Sequence, residues 1–153
     1  MNHRKELVLF LAIIFLSSAV TVSRVSASSP VATVKKVSGT ATVIRQGNTI
    51  SAAVGLAILE NDTIRTGLSG SIGIVFNDET FLSLGPESLL VIDEFVFAPR
   101  QGKFSIVIRM LRGTAAYLSG LIPKLSPDSA HFKTPAASIG IRGTKFVVKV
   151  EEN

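Results

Sequence analysis

The sequence predicts an all-β fold: a single domain of many short strands, solenoid-like or sandwich-like, after an N-terminal signal peptide. Three observations carry that reading. Beyond residue 27 the chain is built of short runs rich in Val, Ile, Thr and Phe, punctuated at close intervals by Gly, Asn, Asp and Pro. Several runs alternate with the period of two that marks a strand with one buried face: Ile72, Ile74 and Phe76 share a side, as do Leu82 and Leu84. No window there keeps a 3.6-residue period for more than about two turns, the weak exception being 52–59, which Gly55 interrupts.

Taken from the N-terminus, Met1-Asn2-His3-Arg4-Lys5 is a basic start, an apolar run follows from Leu7, and Val25-Ser26-Ala27 closes the segment with small residues. Ser17, Ser18 and Thr21 break the apolar run, which leaves it short of the roughly 20 residues a spanning helix needs. The expectation is a signal peptide over 1–27, cleaved after Ala27, with no membrane span once it is removed, and one domain over 28–153. Candidate strands then fall at 32–36, 39–45, 62–65, 71–76, 80–84, 89–93, 103–110, 114–119, 131–134 and 145–150. Asn77-Asp78-Glu79 and Arg45-Gln46-Gly47-Asn48 read as hairpin turns, because Asn, Asp and Gly tolerate the positive φ that tight turns demand. Ala98 to Gly102, with Pro99 inside it, reads as a third. The longest break, 120–127 with two prolines around Lys124, is expected to be a mobile binding loop.

Composition limits the chemistry. There is no cysteine, so disulfides, thiolate catalysis and a lipid-modified cysteine are excluded, and the domain must hold itself together by its core. Export without disulfides suits a bacterial periplasm. The part beyond residue 27 carries 13 basic and 10 acidic residues, a net +3, too mild to call for nucleic acid. His131 is its sole histidine, so neither a histidine cluster for zinc nor a cysteine–histidine pair can be assembled. Asp78-Glu79 and Asp93-Glu94 are the clustered carboxylates, and neighbours on a strand point to opposite faces, which is poor geometry for a shared acid–base pair. Neither pair sits in a series of oxygen ligands that would make a calcium loop. Gly140-Ile141-Arg142-Gly143 spells a KH-type loop without the flanking helices, and in Gly143-Thr144-Lys145 the Lys follows Thr with no helix after it, unlike a phosphate loop. No enzyme activity, cofactor or metal is expected. Phe95 and Phe97 share a face of a run ending at Pro99 and are a possible exposed contact pair. Arg142 interrupts an apolar segment, and its five donors are expected to tie down loop carbonyls or a carboxylate such as Asp78 or Asp93, with anion binding the alternative.

Six ordered segments resemble one family. They are Asn61-Asp62-Thr63-Ile64-Arg65-Thr66-Gly67, Phe76-Asn77-Asp78-Glu79-Thr80, Leu84-Gly85-Pro86-Glu87-Ser88, Gly102-Lys103-Phe104-Ser105-Ile106, Leu111-Arg112-Gly113-Thr114-Ala115 and the C-terminal stretch from Thr134-Pro135 through Gly140, Arg142, Gly143 and Thr144 to Phe146. Together they are similar to the FecR domain, a periplasmic β-rich module named for a bacterial iron-citrate signalling protein. The resemblance implies a protein-interaction and signalling role; in the best-known members the module relays occupancy of an outer-membrane transporter to a cytoplasmic sigma factor. Here a cleavable signal stands in place of a cytoplasmic segment and membrane helix, so the chain resembles the stand-alone exported members, and relay across a membrane by it alone is not expected. The expected partner is an envelope protein; the alternative is a small or polymeric envelope ligand such as a glycan, held in a mildly basic, solvent-facing groove. The family commonly continues with further strands beyond the position of Phe146, whereas this chain ends at Asn153, so its last strand is expected either to expose an edge open to a partner or to a second copy, or to be guarded against such pairing by its charged end.

Overall fold

The computed structural model describes residues 28–143 and 145–151. The expected signal peptide, 1–27, lies outside the described residues. Among the described residues there are twelve strands: β1 (Ala32–Ser38), β2 (Ala41–Arg45), β3 (Asn48–Ser51), β4 (Ala57–Ile58), β5 (Thr63–Thr66), β6 (Ser71–Phe76), β7 (Phe81–Leu84), β8 (Leu89–Ala98), β9 (Lys103–Leu118), β10 (Ala130–Lys133), β11 (Ser138–Gly140) and β12 (Lys145–Val150). A helical turn, α1 (Ile122–Leu125), followed by a 3₁₀ turn at Pro127–Ser129, lies between β9 and β10.

The long strand β9 organises everything else. One of its edges takes β8 along 103–112 and β7 along 115–118; the other takes β10 at 106–109 and β12 at 113–118. From β7 the sheet continues through β6 and β1 to β4, and from β8 through β5 and β2 to β3, so two wings share one spine. The sheet curls into a half-barrel with the wings facing each other across the core. Phe76 of β6 stacks on Phe95 of β8 across the gap, ring centres 5.3 Å apart. Every pairing but that of β10 with β9 is antiparallel, which sets the fold on the sandwich side of the two arrangements open to the sequence; a solenoid stacks its coils in parallel.

A strand serving both wings must change which side chains it turns inward. In β9 the buried residues are Ile106, Ile108 and Met110, then Ala115 and Tyr117, so the alternation slips by one. The slip is a β-bulge: Leu89 faces Arg112 while Leu90 faces Met110, leaving one extra residue on β9. Gly113, at φ +94°, follows directly. In β8 a second bulge between Ile92 and Glu94 turns the inward set from Leu90 and Ile92 to Phe95. The sequence reading therefore split β9 into 103–110 and 114–119 and stopped β8 at 93, taking bulges for strand ends.

Other expectations need correcting as well. The 52–59 stretch is a turn and the two-residue β4, which pairs with β1; its spacing reflects burial of Ile58 and not a helix. β3 and β11 had no counterpart among the candidate strands. The β2–β3 hairpin turns on Gln46 and Gly47, both at positive φ, as the turn signal required. The segment 120–127 is no free loop: Ile122 and Pro123 are buried, and α1 is tied to the β6–β7 turn. Phe95 is in the core and Phe97 packs beside it against Phe104, so the pair is not an exposed patch.

Candidate functional site

Four of the six segments, the first, second, third and fifth, come together inside the fold as clamps, while the fourth, 102–106, leads into β9. Asp62, almost wholly buried on the loop before β5, accepts two hydrogen bonds from Arg45 of β2, at 2.9 and 2.7 Å, and one from the Leu59 backbone N–H at 2.8 Å. Arg45 also donates to the Ala57 carbonyl, so one ion pair holds β2 against the β4–β5 connection. Its guanidinium is held above the ordinary arginine value, first by the hydrogen bond to Asp62.

Thr66, Gly85, Ser88, Gly113 and Thr114 form a second clamp where β9 crosses between the wings. The Thr66 hydroxyl donates to the Gly85 carbonyl and accepts from the Ser88 N–H; the Ser88 hydroxyl donates to the Thr114 carbonyl and accepts from the Thr114 N–H. A Cβ on Gly113 would collide with Ser88.

Asp78 is the centre of the third. It accepts from the N–H of Thr80 at 3.0 Å, the Thr80 hydroxyl at 2.9 Å and the Ile122 N–H at 3.2 Å, while the Thr80 hydroxyl accepts from Gly120 N–H. Gly120 lies against the 78–80 backbone too closely for any side chain. The Tyr117 hydroxyl is buried near Thr80 and meets no partner within hydrogen-bonding geometry. Burial is the chief reason its pKa is pushed up to about 12; proximity to Thr80 opposes the shift and the Asp78 charge adds to it.

The sixth segment is different in kind. Thr134 closes a small turn, its hydroxyl accepting from Ala137 N–H at 3.1 Å, and Ile141 is buried and donates its N–H to the Ala130 carbonyl. Between these anchors Pro135 to Gly140 stand exposed. Arg142 and Gly143, at φ +60°, are exposed as well, and Thr144 is outside the described residues. Both carboxylates considered for Arg142 are engaged elsewhere: Asp93 takes a bidentate ion pair from Arg109, at 2.7 Å, and Asp78 serves the clamp just described. Phe146 turns inward, stacked on Tyr117 at 5.0 Å and edge-on to Phe132 at 5.6 Å, so β12 is seated by its aromatic residue.

The exposed run of the segment faces the C-terminal half of β12. Pro135, Ala136 and Ile139 on one side, and Val148 to Glu151 on the other, line a groove of about 330 Å³. β12 pairs with β9 on one side, and among the described residues no strand lies on its other side. Its outward residues, Lys145, Val147 and Lys149, continue an apolar surface on the back of the sheet, where Val147 is 65 % exposed, Leu118 48 % and Phe81 37 %. Sequence reasoning found the strand and its alternation but missed Phe81 and Leu118, which only the β7–β9 pairing makes neighbours of Lys145.

No cluster of three or more His, Asp or Glu side chains suited to a metal ion occurs among the described residues, and none of their helices is long and apolar enough to cross a membrane. His131 lies with its Nε2 3.0 Å from the Asp128 carbonyl. The arrangement is a curled all-β domain whose buried carboxylates and hydroxyls serve the fold, with exposed apolar and basic side chains at one strand edge. The FecR protein family model matches residues 62–153, more than half of the chain, and the chain belongs to that family. The family is signalling-related and envelope-associated. No curated protein and no solved structure matches the chain.

Proposed function

We propose that this protein is exported to the bacterial periplasm and acts there as a non-catalytic interaction module in envelope signalling, binding an envelope protein through the 134–146 segment and β12. One observation carries the reading: Asp62, Thr66, Asp78, Thr80 and Ser88 of the family segments are committed to internal clamps, while the run from Pro135 to Gly140 is turned to solvent beside an open strand edge. An exposed apolar run beside unpaired backbone is a recognition feature in a folded domain. Family membership supports the envelope setting. The cations Lys133, Arg142, Lys145 and Lys149 around the groove favour a second reading, a polymeric envelope ligand such as a glycan.

The test is crosslinking and pull-down of the full chain from envelope extract, beside Ile139→Asp and Arg142→Ala. Arg142 is exposed, so Arg142→Ala should change stability by no more than about 0.5 kcal/mol; Ile139 is 36 % exposed, so the folding of Ile139→Asp is checked by its melting temperature before capture is compared. Capture of one dominant protein, lost in the variants, supports the proposal; retention on cell-wall or lipid material alone favours the ligand-binding module. N-terminal sequencing of the exported product should begin at Ser28.

A further inference from the structure

We propose that the partner presents an extended segment of alternating acidic and apolar side chains, which adds as a strand to the open edge of β12. The inference rests on the protein-interaction reading above and supplies the chemistry of the partner.

The backbone comes first. β12 bonds to β9 through one set of its N–H and C=O groups, and the set on its other side meets no strand among the described residues, which makes it a template for β-augmentation. On the same edge of β9, β10 is followed outward by β11, so β11 occupies the second lane from the spine. A strand added to β12 runs in that same lane, and the groove between Ile139 and Val148 to Glu151 lies there.

Side chains set the alternation. Inward positions of an added strand lie beside Phe146, Val148 and Val150, all half-buried against the core, and call for apolar residues. Outward positions lie beside Lys145, Val147 and Lys149. From Lys133 to Glu152 the sequence carries four cations, Lys133, Arg142, Lys145 and Lys149, against two carboxylates, Glu151 and Glu152, so most of the net +3 beyond residue 27 is concentrated here. Glu151 pairs with Lys149 at 2.8 Å, but both are exposed, and such a pair exchanges readily for an acidic group on a partner. A second copy of β12 paired symmetrically about Val147 would set Lys145 directly against Lys149 of the other copy, a repulsive arrangement. An anionic membrane would attract the same lysines and leave the edge's hydrogen-bonding groups unmet.

The experiment uses the full chain with fluorescein-labelled peptides of alternating Glu and Val or alternating Lys and Val, and with Lys145→Glu/Lys149→Glu. The acidic peptide should bind, with slowed amide exchange at 145–150, and the basic peptide should bind at least about tenfold more weakly. The double variant, altered at two exposed sites and expected to fold normally, should reverse that preference. Three results would overturn the inference: equal affinity of the acidic peptide for both proteins, exchange protection of 145–150 that grows with protein concentration alone, or binding to phosphatidylglycerol vesicles and to neither peptide. Envelope capture that survives the double lysine variant but fails with Ile139→Asp removes this inference and leaves the interaction reading standing; capture indifferent to both removes the two together.

Discussion

Asp62 and Asp78 are the two deeply buried carboxylates of the described residues, and each is placed where several donors converge. Removing the acceptor leaves donors that water reaches poorly. Asp62→Ala strands the half-buried Arg45 and the Leu59 N–H, and should cost about 2–3 kcal/mol in urea unfolding. Tyr117 is the opposite case, a buried hydroxyl with no partner to lose. Tyr117→Phe should therefore leave stability at pH 7 unchanged or raise it by up to about 1 kcal/mol. The sign of its pH effect follows from a folded pKa near 12 against an unfolded value of 10. The folded state holds the proton more tightly, so its advantage is complete below pH 10 and disappears as pH rises through 12. Over that window the wild type should lose stability faster than the Phe variant, a difference that cancels the titration of the lysines.

Among the elements, β9 carries most risk, because a bulge and one glycine let sixteen residues serve two wings. Gly113→Ala meets both an unfavourable φ and a collision with Ser88. A loss of about 3 kcal/mol or more is expected, with the Ser88–Thr114 hydrogen bonds the first to open in amide exchange. Much of this element was readable: both halves stood out by alternation, and the segment Leu111 to Ala115 marked the break between them. What could not be read was that the break is a bulge. A strand end and a bulge use the same residue types, and only the partner strand's register tells them apart. The same blindness hid β3, β4 and β11, each of two to four residues and held by its neighbours and not by any pattern of its own.

The whole molecule has one core shared by both wings, so it should unfold as one unit. Phe76→Ala removes the ring that stacks on Phe95 across the gap and should cost about 3–5 kcal/mol while calorimetry still shows a single transition. A split into two transitions would mean that the wings hold independent cores. The candidate site is also a property of this scale. Its two walls, at 135–139 and 148–151, are close in sequence but meet only because β10 and β12 dock on the same edge of β9.

The chain's β character, its hairpin turns, the cation-rich C-terminal strand and the six family segments were determined by the sequence alone, since each depends on local conformational preference or on the order of residues. Burial was not. That four segments feed internal clamps and the sixth faces solvent, that 120–127 is pinned by Asp78, and that Phe81, Leu118 and Val147 form one surface were decided by the tertiary structure. A side chain's surroundings depend on which strands pair and in what register, and pairing is set by the closure of the core as a whole and not by any stretch of the sequence within it.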